Sequence, residues 1–185
     1  MLEMLIDSVR VSLMNYQRVV ILKEKNSKRY LPIWIGPNEA DAITVKLQDI
    51  SVPRPLTHDL LRMFLDILGA KVEYVLISEM AEDTFFAKIF LLHSKGEKFE
   101  VDSRPSDAIA LAVRTGVSIF VDEKVLDKVG IFISHDVTDE ETEKNNVFQG
   151  TEDITPTNPE EIKKMSAFKD FINDLDLDDL GRKKR

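Results

Sequence analysis

"IGPNEADAI" at 35–43 and "VDSRPSDAIA" at 101–110 are two passages of one chain built on the same plan. Each leaves a β-branched apolar run, turns at a proline and enters an alanine-containing segment. Displacing the sequence by 66 positions lays Ala40-Asp41-Ala42-Ile43 on Ser106-Asp107-Ala108-Ile109. The same displacement sets Ile33 and Ile35 on Phe99 and Val101, and Val9 and Val11 on Val75 and Ile77. Self-similarity at a fixed offset marks a duplicated supersecondary unit. Before the first passage lie apolar stretches at 2–13, 18–24 and 29–35, the last two parted by the polar turn Lys25-Asn26-Ser27-Lys28, and they read as a meander of strands. Pro32 gives the third an edge position or a bend, since proline donates nothing to a ladder.

Gly36-Pro37 ends that strand, and a helix follows over 38–48 with an apolar face at Ala42 and Val45. A second helix spans 57–68, where Thr57 can cap and Gly69 can stop it. Strands at 71–80, 84–93 and 98–102 and a helix over 105–114 repeat the order, and a short strand at 118–121 precedes a turn or short helix at 122–129. The fold class is α+β: duplicated β-β-β-α units forming a mixed or antiparallel sheet packed with helices.

Domain organisation follows from composition. Residues 1–134 form one domain; 135–158 are acidic, threonine-rich and poor in apolar periodicity, a linker pattern; 159–185 carry Ile162, Met165, Phe168, Ile172 and Leu175 at helical spacing and end in Arg182-Lys183-Lys184-Arg185. Of the net charge of −8, the first 134 residues carry −2 and the rest −6. A body near neutrality has no basic stripe for tracking phosphates, which weighs against tight nucleic-acid binding without closing off a small basic cleft. With no cysteine there is no disulfide, thiolate nucleophile or Cys-type zinc site, so any metal would sit on oxygen or imidazole. No apolar run is long enough for a membrane span and the first residues carry Glu3 and Asp7 where a signal peptide would not, so the expectation is a cytoplasmic protein with no membrane partner.

The chemistry-bearing residues cluster at the paired helix starts. Asp41 and Asp107 are equivalent under the 66-residue repeat, with Glu39, Arg54, His58, Asp59, Asp102, Arg104 and Ser106 nearby in sequence. Asp and Ser are common at helix N-termini because their oxygens take orphan N–H groups, so each could be a cap and nothing more. The sharper possibility is phosphodiester hydrolysis. Carboxylates holding Mg²⁺ or Mn²⁺ would activate water, arginines would clamp phosphate, and a histidine with an ordinary pKa near 6.5 could move a proton. Glu39 and Asp41 lie about 200° apart on an ideal helix, and the repeat favours Asp41 of the two. No P-loop, H-E-x-x-H or G-x-S-x-G is present.

Three stretches, "LPIWIGPNEADAI" (31–43), "RPLTHDLL" (54–61) and "VDSRPSDAIALAVR" (101–114), together closely resemble the bifunctional nuclease family over about residues 1–134. The resemblance implies a compact duplicated α+β domain and nuclease activity on DNA and RNA. The expected site is His58, Asp59 and Asp107 as catalytic residues, Arg54, Arg104 and Ser106 on phosphate, Asp41, Asp102 and Asp107 on a metal, with Glu39 as a further motif residue. The alternative is a non-catalytic regulatory or binding domain in which the same cluster caps helices or holds a small anion. Expected partners are DNA or RNA, a second copy in a homodimer or higher oligomer, and a protein docked on the C-terminal helix.

A chain ending at Ser134 is expected to keep the fold, since both repeats lie within it. A cooperative thermal transition by circular dichroism would bear this out; a molten or insoluble product would show that the rest of the chain completes the core.

Overall fold

The computed structural model describes residues 1–11 and 17–132, all within one unit, Met1–Ser134. The linker and C-terminal helix expected at 135–158 and 159–185 lie outside the described residues. Strands β1 (Leu2–Val11), β2 (Arg18–Glu24) and β3 (Arg29–Ile35) form an antiparallel meander that leads into helix α1 (Pro37–Leu47). Helix α2 (Thr57–Ile67) follows. A second antiparallel meander, β4 (Ala70–Ala81), β5 (Thr84–His93) and β6 (Lys98–Ser103), leads into α3 (Pro105–Thr115). The short strand β7 (Ile119–Val121), helix α4 (Glu123–Val129) and the two-residue β8 (Ile131–Phe132) complete the unit.

The eight strands make one sheet in the order β6-β5-β4-β7-β1-β2-β3-β8. The meanders are therefore mirrored outward from a seam, and β7 fills the seam, parallel to β4 and antiparallel to β1. The fold is α+β with a mixed sheet, as the sequence pattern implies. Pro32 sits in β3, whose outer neighbour β8 pairs with Arg29 and Tyr30, so among the described residues no strand takes the outer side of the proline.

Cross-strand partners share a face. One face carries Met4, Leu22, Leu31, Ile33, Val75, Ile77, Ala87, Ile89, Ile119 and Val121, which join Ile43 of α1, Val125 and Leu126 of α4 and much of α3 in a single core. Helix α3 is its axis. Ala108, Ile109, Ala110, Leu111 and Ala112 are all buried, and three alanines in five positions let this helix lie close to α1, α2 and the sheet at once. It ends at Gly116, whose φ of 70° is the left-handed conformation that glycine adopts without steric cost. At the sheet margin Arg29 bonds Glu24 at 2.7 Å and Asp127 of α4 at 2.9 Å, tying the β2–β3 turn to that helix.

Truncating Ile77, fully buried between β5 and β7, to alanine should cost about 2–4 kcal/mol, whereas Phe132→Ala at the exposed margin should cost under about 0.5 kcal/mol. Chemical denaturation of the two variants beside the parent checks the difference.

Candidate functional site

Helices α1 and α3 start alike, and their starts correct the repeat. Each runs for 11 residues, has proline in its first turn and is preceded by an extended N-cap residue, Gly36 (φ −68°, ψ 155°) or Arg104 (φ −70°, ψ 147°). Aligning the two prolines displaces the sequence by 68, not 66. The counterpart of Asp107 is then Glu39, and that of Asp41 is the buried core residue Ile109. The short Asp-Ala-Ile match hid the offset, because identity over three residues outweighed the structural anchor of the proline.

Glu39 and Asp107, third residues of their helices, meet at one guanidinium. Arg104 donates from Nε to Asp107 Oδ2 at 2.7 Å, and from Nη2 to Glu39 Oε1 at 2.8 Å and Asp107 Oδ1 at 3.2 Å. Behind Asp107 lies His58 of α2, with Nε2 at 3.0 Å from Oδ1. Since an ionised carboxylate only accepts, the imidazole donates from Nε2, which leaves Nδ1 as its second ring nitrogen. That nitrogen is buried with no partner among the described residues, as is Ser103 Oγ. Burial pushes the Asp107 carboxyl up, but Arg104 and His58 together outweigh it and hold the group below its ordinary value. Arg104 is held even more firmly charged by Asp107 and then Glu39. Gly36 belongs to this geometry for a steric reason: a Cβ there would run into the Glu39 carboxylate.

None of these side chains caps its helix. The N-caps Gly36 and Arg104 make no side-chain cap, so Asp107 does not act as the capping group the sequence allows. In α2 the N-cap is Leu56, not Thr57, and Asp59 closes the turn by accepting the Leu56 N–H at 2.9 Å. The other Asp59 oxygen takes Arg114 Nε at 2.8 Å. Burial raises the Asp59 carboxyl, and the Leu56 amide and Arg114 more than reverse this, so it too lies below its ordinary value. Arg114 also donates to the carbonyls of Ala110 at 2.8 Å and Ala42 at 3.0 Å, joining α1, α2 and α3 through one buried cation.

The expected metal set is not assembled. Among the described residues no three His, Asp or Glu side chains converge on one point. Asp102 pairs across from Lys88 on β6, on the sheet face opposite Ala87 and Ile89, and strand alternation therefore points it away from the helices. Asp41 is exposed on α1, two residues beyond Glu39. Asp59, expected as a catalytic residue, spends its two oxygens on the Leu56 amide and the Arg114 guanidinium. Ser106 is buried in the first turn of α3, and Arg54 is exposed before α2 with no partner among the described residues. Arg114, given no role from sequence, is the residue that reading missed; an arginine among the alanines and leucines of α3 was its only signal. A cleft of about 290 Å³, lined by Arg62, Asp66, Lys71 and Arg114, lies by the far end of α3 and excludes the Arg104 network.

Residues 20–134 match the bifunctional nuclease domain. An uncharacterized protein of Mycobacterium tuberculosis is 38% identical over 177 residues, 96% of each chain. Bifunctional nuclease 1 of Oryza sativa subsp. japonica is 26% identical over 138 residues, 74% of this chain and 42% of the rice protein. Bifunctional nuclease 2 of Arabidopsis thaliana is 26% identical over 110 residues, 58% and 33% of the two chains. Among the described residues no helix is long and apolar enough to cross a membrane.

Replacing Arg114 by alanine should destabilise the fold by about 2–4 kcal/mol, because it leaves the Asp59 charge and two buried carbonyls unpaired, and lysine should not rescue it. The depressed carboxyls of Asp59 and Asp107 contribute stability in full above about pH 4 and lose it as pH falls through their lower folded values. Urea melts at pH 7 and pH 3 should therefore differ less for Asp59→Asn and Asp107→Asn than for the parent.

Proposed function

The chain belongs to the bifunctional nuclease domain family, and from that premise we propose that it hydrolyses phosphodiester bonds of DNA or RNA at the paired starts of α1 and α3. The observation that carries the reading is that Glu39 and Asp107, one from each repeat, converge on the exposed guanidinium of Arg104. Hydrolysis needs positive charge at the phosphoryl oxygens and an oriented water on the far side of the leaving oxygen. Arg104 supplies the first, with donors left over beyond those spent on the two carboxylates. Arg54, exposed four residues before His58, is placed in sequence to take a neighbouring phosphate of a polymer.

Two carboxylates around one arginine leave a net negative charge that repels phosphate, and a divalent cation resolves the conflict. Mg²⁺ commonly sits on one or two protein carboxylates with substrate phosphate completing its shell, so Glu39 and Asp107 are the residues that would hold Mg²⁺ or Mn²⁺. Such an ion supplies charge neutralisation and an acidified water. His58 then acts as a positioning residue: it holds Asp107 from behind and is too enclosed to meet a polymer itself.

The test is a nuclease assay on highly purified protein with single-stranded DNA and RNA, in Mg²⁺, in Mn²⁺ and in EDTA, with Asp107→Asn, Glu39→Gln and Arg104→Ala alongside. Each variant should lose about 10²-fold or more of the turnover, and EDTA should abolish it. Near-normal turnover in Asp107→Asn would return the cluster to a structural role, and a parent inactive in every arm would favour the binding-domain alternative.

A further inference from the structure

Arg104 fills the space between the two carboxylates. Its Nη2 lies 2.8 Å from Glu39 Oε1 and 3.2 Å from Asp107 Oδ1, so one nitrogen bridges the two helix starts, while Nε closes on Asp107 Oδ2 at 2.7 Å. Glu39 and Asp107 thus already serve a cation, one that the chain itself supplies. A divalent ion shared by the same two oxygens would have to stand where Nη2 stands, since Mg²⁺ takes carboxylate oxygens at about 2.1 Å and leaves no room for a nitrogen between them. Two positive charges repel steeply at that distance, so guanidinium and metal exclude each other there.

We propose that Arg104 is an exchangeable internal cation: it holds Glu39 and Asp107 together until a divalent ion takes the pair, and it then swings outward, free to meet an approaching phosphate. The exchange rests on the reading of Glu39 and Asp107 as the metal-holding residues of a nuclease, and it adds to that reading an order of events. Without metal the site is closed by its own arginine, and with metal the same arginine becomes the clamp.

The three partners differ in their freedom to move. The Arg104 side chain is 66% exposed, whereas those of Asp107 and Glu39 are 29% and 17% exposed. His58 holds Asp107 Oδ1 from behind at 3.0 Å, and that bond does not depend on Arg104. The Glu39 carboxylate lies over Gly36, in space that a Cβ would fill. The Arg104 backbone is as fixed as its side chain is free. As the N-cap of α3 its carbonyl accepts the N–H groups of Asp107 and Ala108, each at 3.1 Å, and no side-chain cap is lost when the guanidinium turns away. An ion pair this open to water is weak, because solvent screens it and hydrates the freed guanidinium at once. Arg114, the structural arginine of this fold, is by contrast enclosed and bonded to two backbone carbonyls deep among the helices.

Mn²⁺ binding to the full chain, followed by the electron paramagnetic resonance of the free ion and without nucleic acid, tests the exchange. Arg104→Gln should tighten it about tenfold or more, because the competing cation is gone, while Asp107→Asn and Glu39→Gln should weaken it. Arg104→Lys keeps the charge but not the planar fork, and should fall between the parent and Arg104→Gln. In the parent, the Arg104 Nε–H resonance, assigned by its loss in Arg104→Gln, should move to the position of a free arginine at saturating Mg²⁺. Metal affinity then rises in Arg104→Gln while turnover falls, a split that a purely structural arginine would not give. Mn²⁺ affinity unchanged or weakened in Arg104→Gln, no Mn²⁺ binding by either protein, or an Nε–H resonance unmoved by Mg²⁺ overturns the proposal. Tighter Mn²⁺ binding in Arg104→Gln beside a parent that cleaves neither DNA nor RNA supports the exchange and overturns the nuclease reading alone.

Discussion

A single buried cation sets the helical layer. Arg114 is enclosed among α1, α2 and α3, and removing a guanidinium from water costs several kcal/mol unless its donors are met. Asp59 and the carbonyls of Ala42 and Ala110 meet them. Because each acceptor belongs to a different helix, the arginine is satisfied only when all three helices are in register. The alanines of α3 provide the close approach, and Arg114 makes one of the possible close packings the right one.

The position of the Arg104 network follows from that register. Asp59 stands one residue from His58, so the bond that seats Asp59 on Arg114 also fixes the start of α2 and with it the imidazole against Asp107. Glu39 arrives from the other side on α1, whose Ala42 carbonyl is held by the same arginine. The structural ion pair at one end of α3 and the surface network at the other are thus coupled through rigid helices. The same turn of α2 that brings His58 and Asp59 inward drives Leu60, Phe64 and Ile67 outward.

Much of this was legible in the sequence. Apolar period and turn residues gave both meanders, α1 and α3 to within a residue or two, and the stop at Gly69, because burial on one face and left-handed backbone leave local marks. The duplication was legible too, but its offset was not: Asp-Ala-Ile recurs at 66, whereas the helices align at 68 on Pro37 and Pro105, so the counterpart of Asp107 is Glu39 and not Asp41. Asp102 was misplaced for a different reason. Its nearness to Asp107 in sequence says nothing about the strand parity that sends it to the opposite face. The roles of Asp59 and Arg114 depend on a contact between residues 55 positions apart, which no local pattern records.

The seam strand bears on how the chain reaches this state. β7 pairs Phe120 with Glu3 on one side and with Leu76 on the other, and Ser118 hydrogen-bonds the Glu3 carboxylate at 3.0 Å. The two meanders can form locally, each from neighbouring segments, but they have no direct ladder between them. On a ribosome the first meander must wait with an open edge at β1 until residues 119–121 emerge, and only then can the sheet close. High sequence separation at the centre of the sheet makes that closure the slow step of folding, and until it happens the exposed edge of β1 is the place where a second nascent chain could pair wrongly.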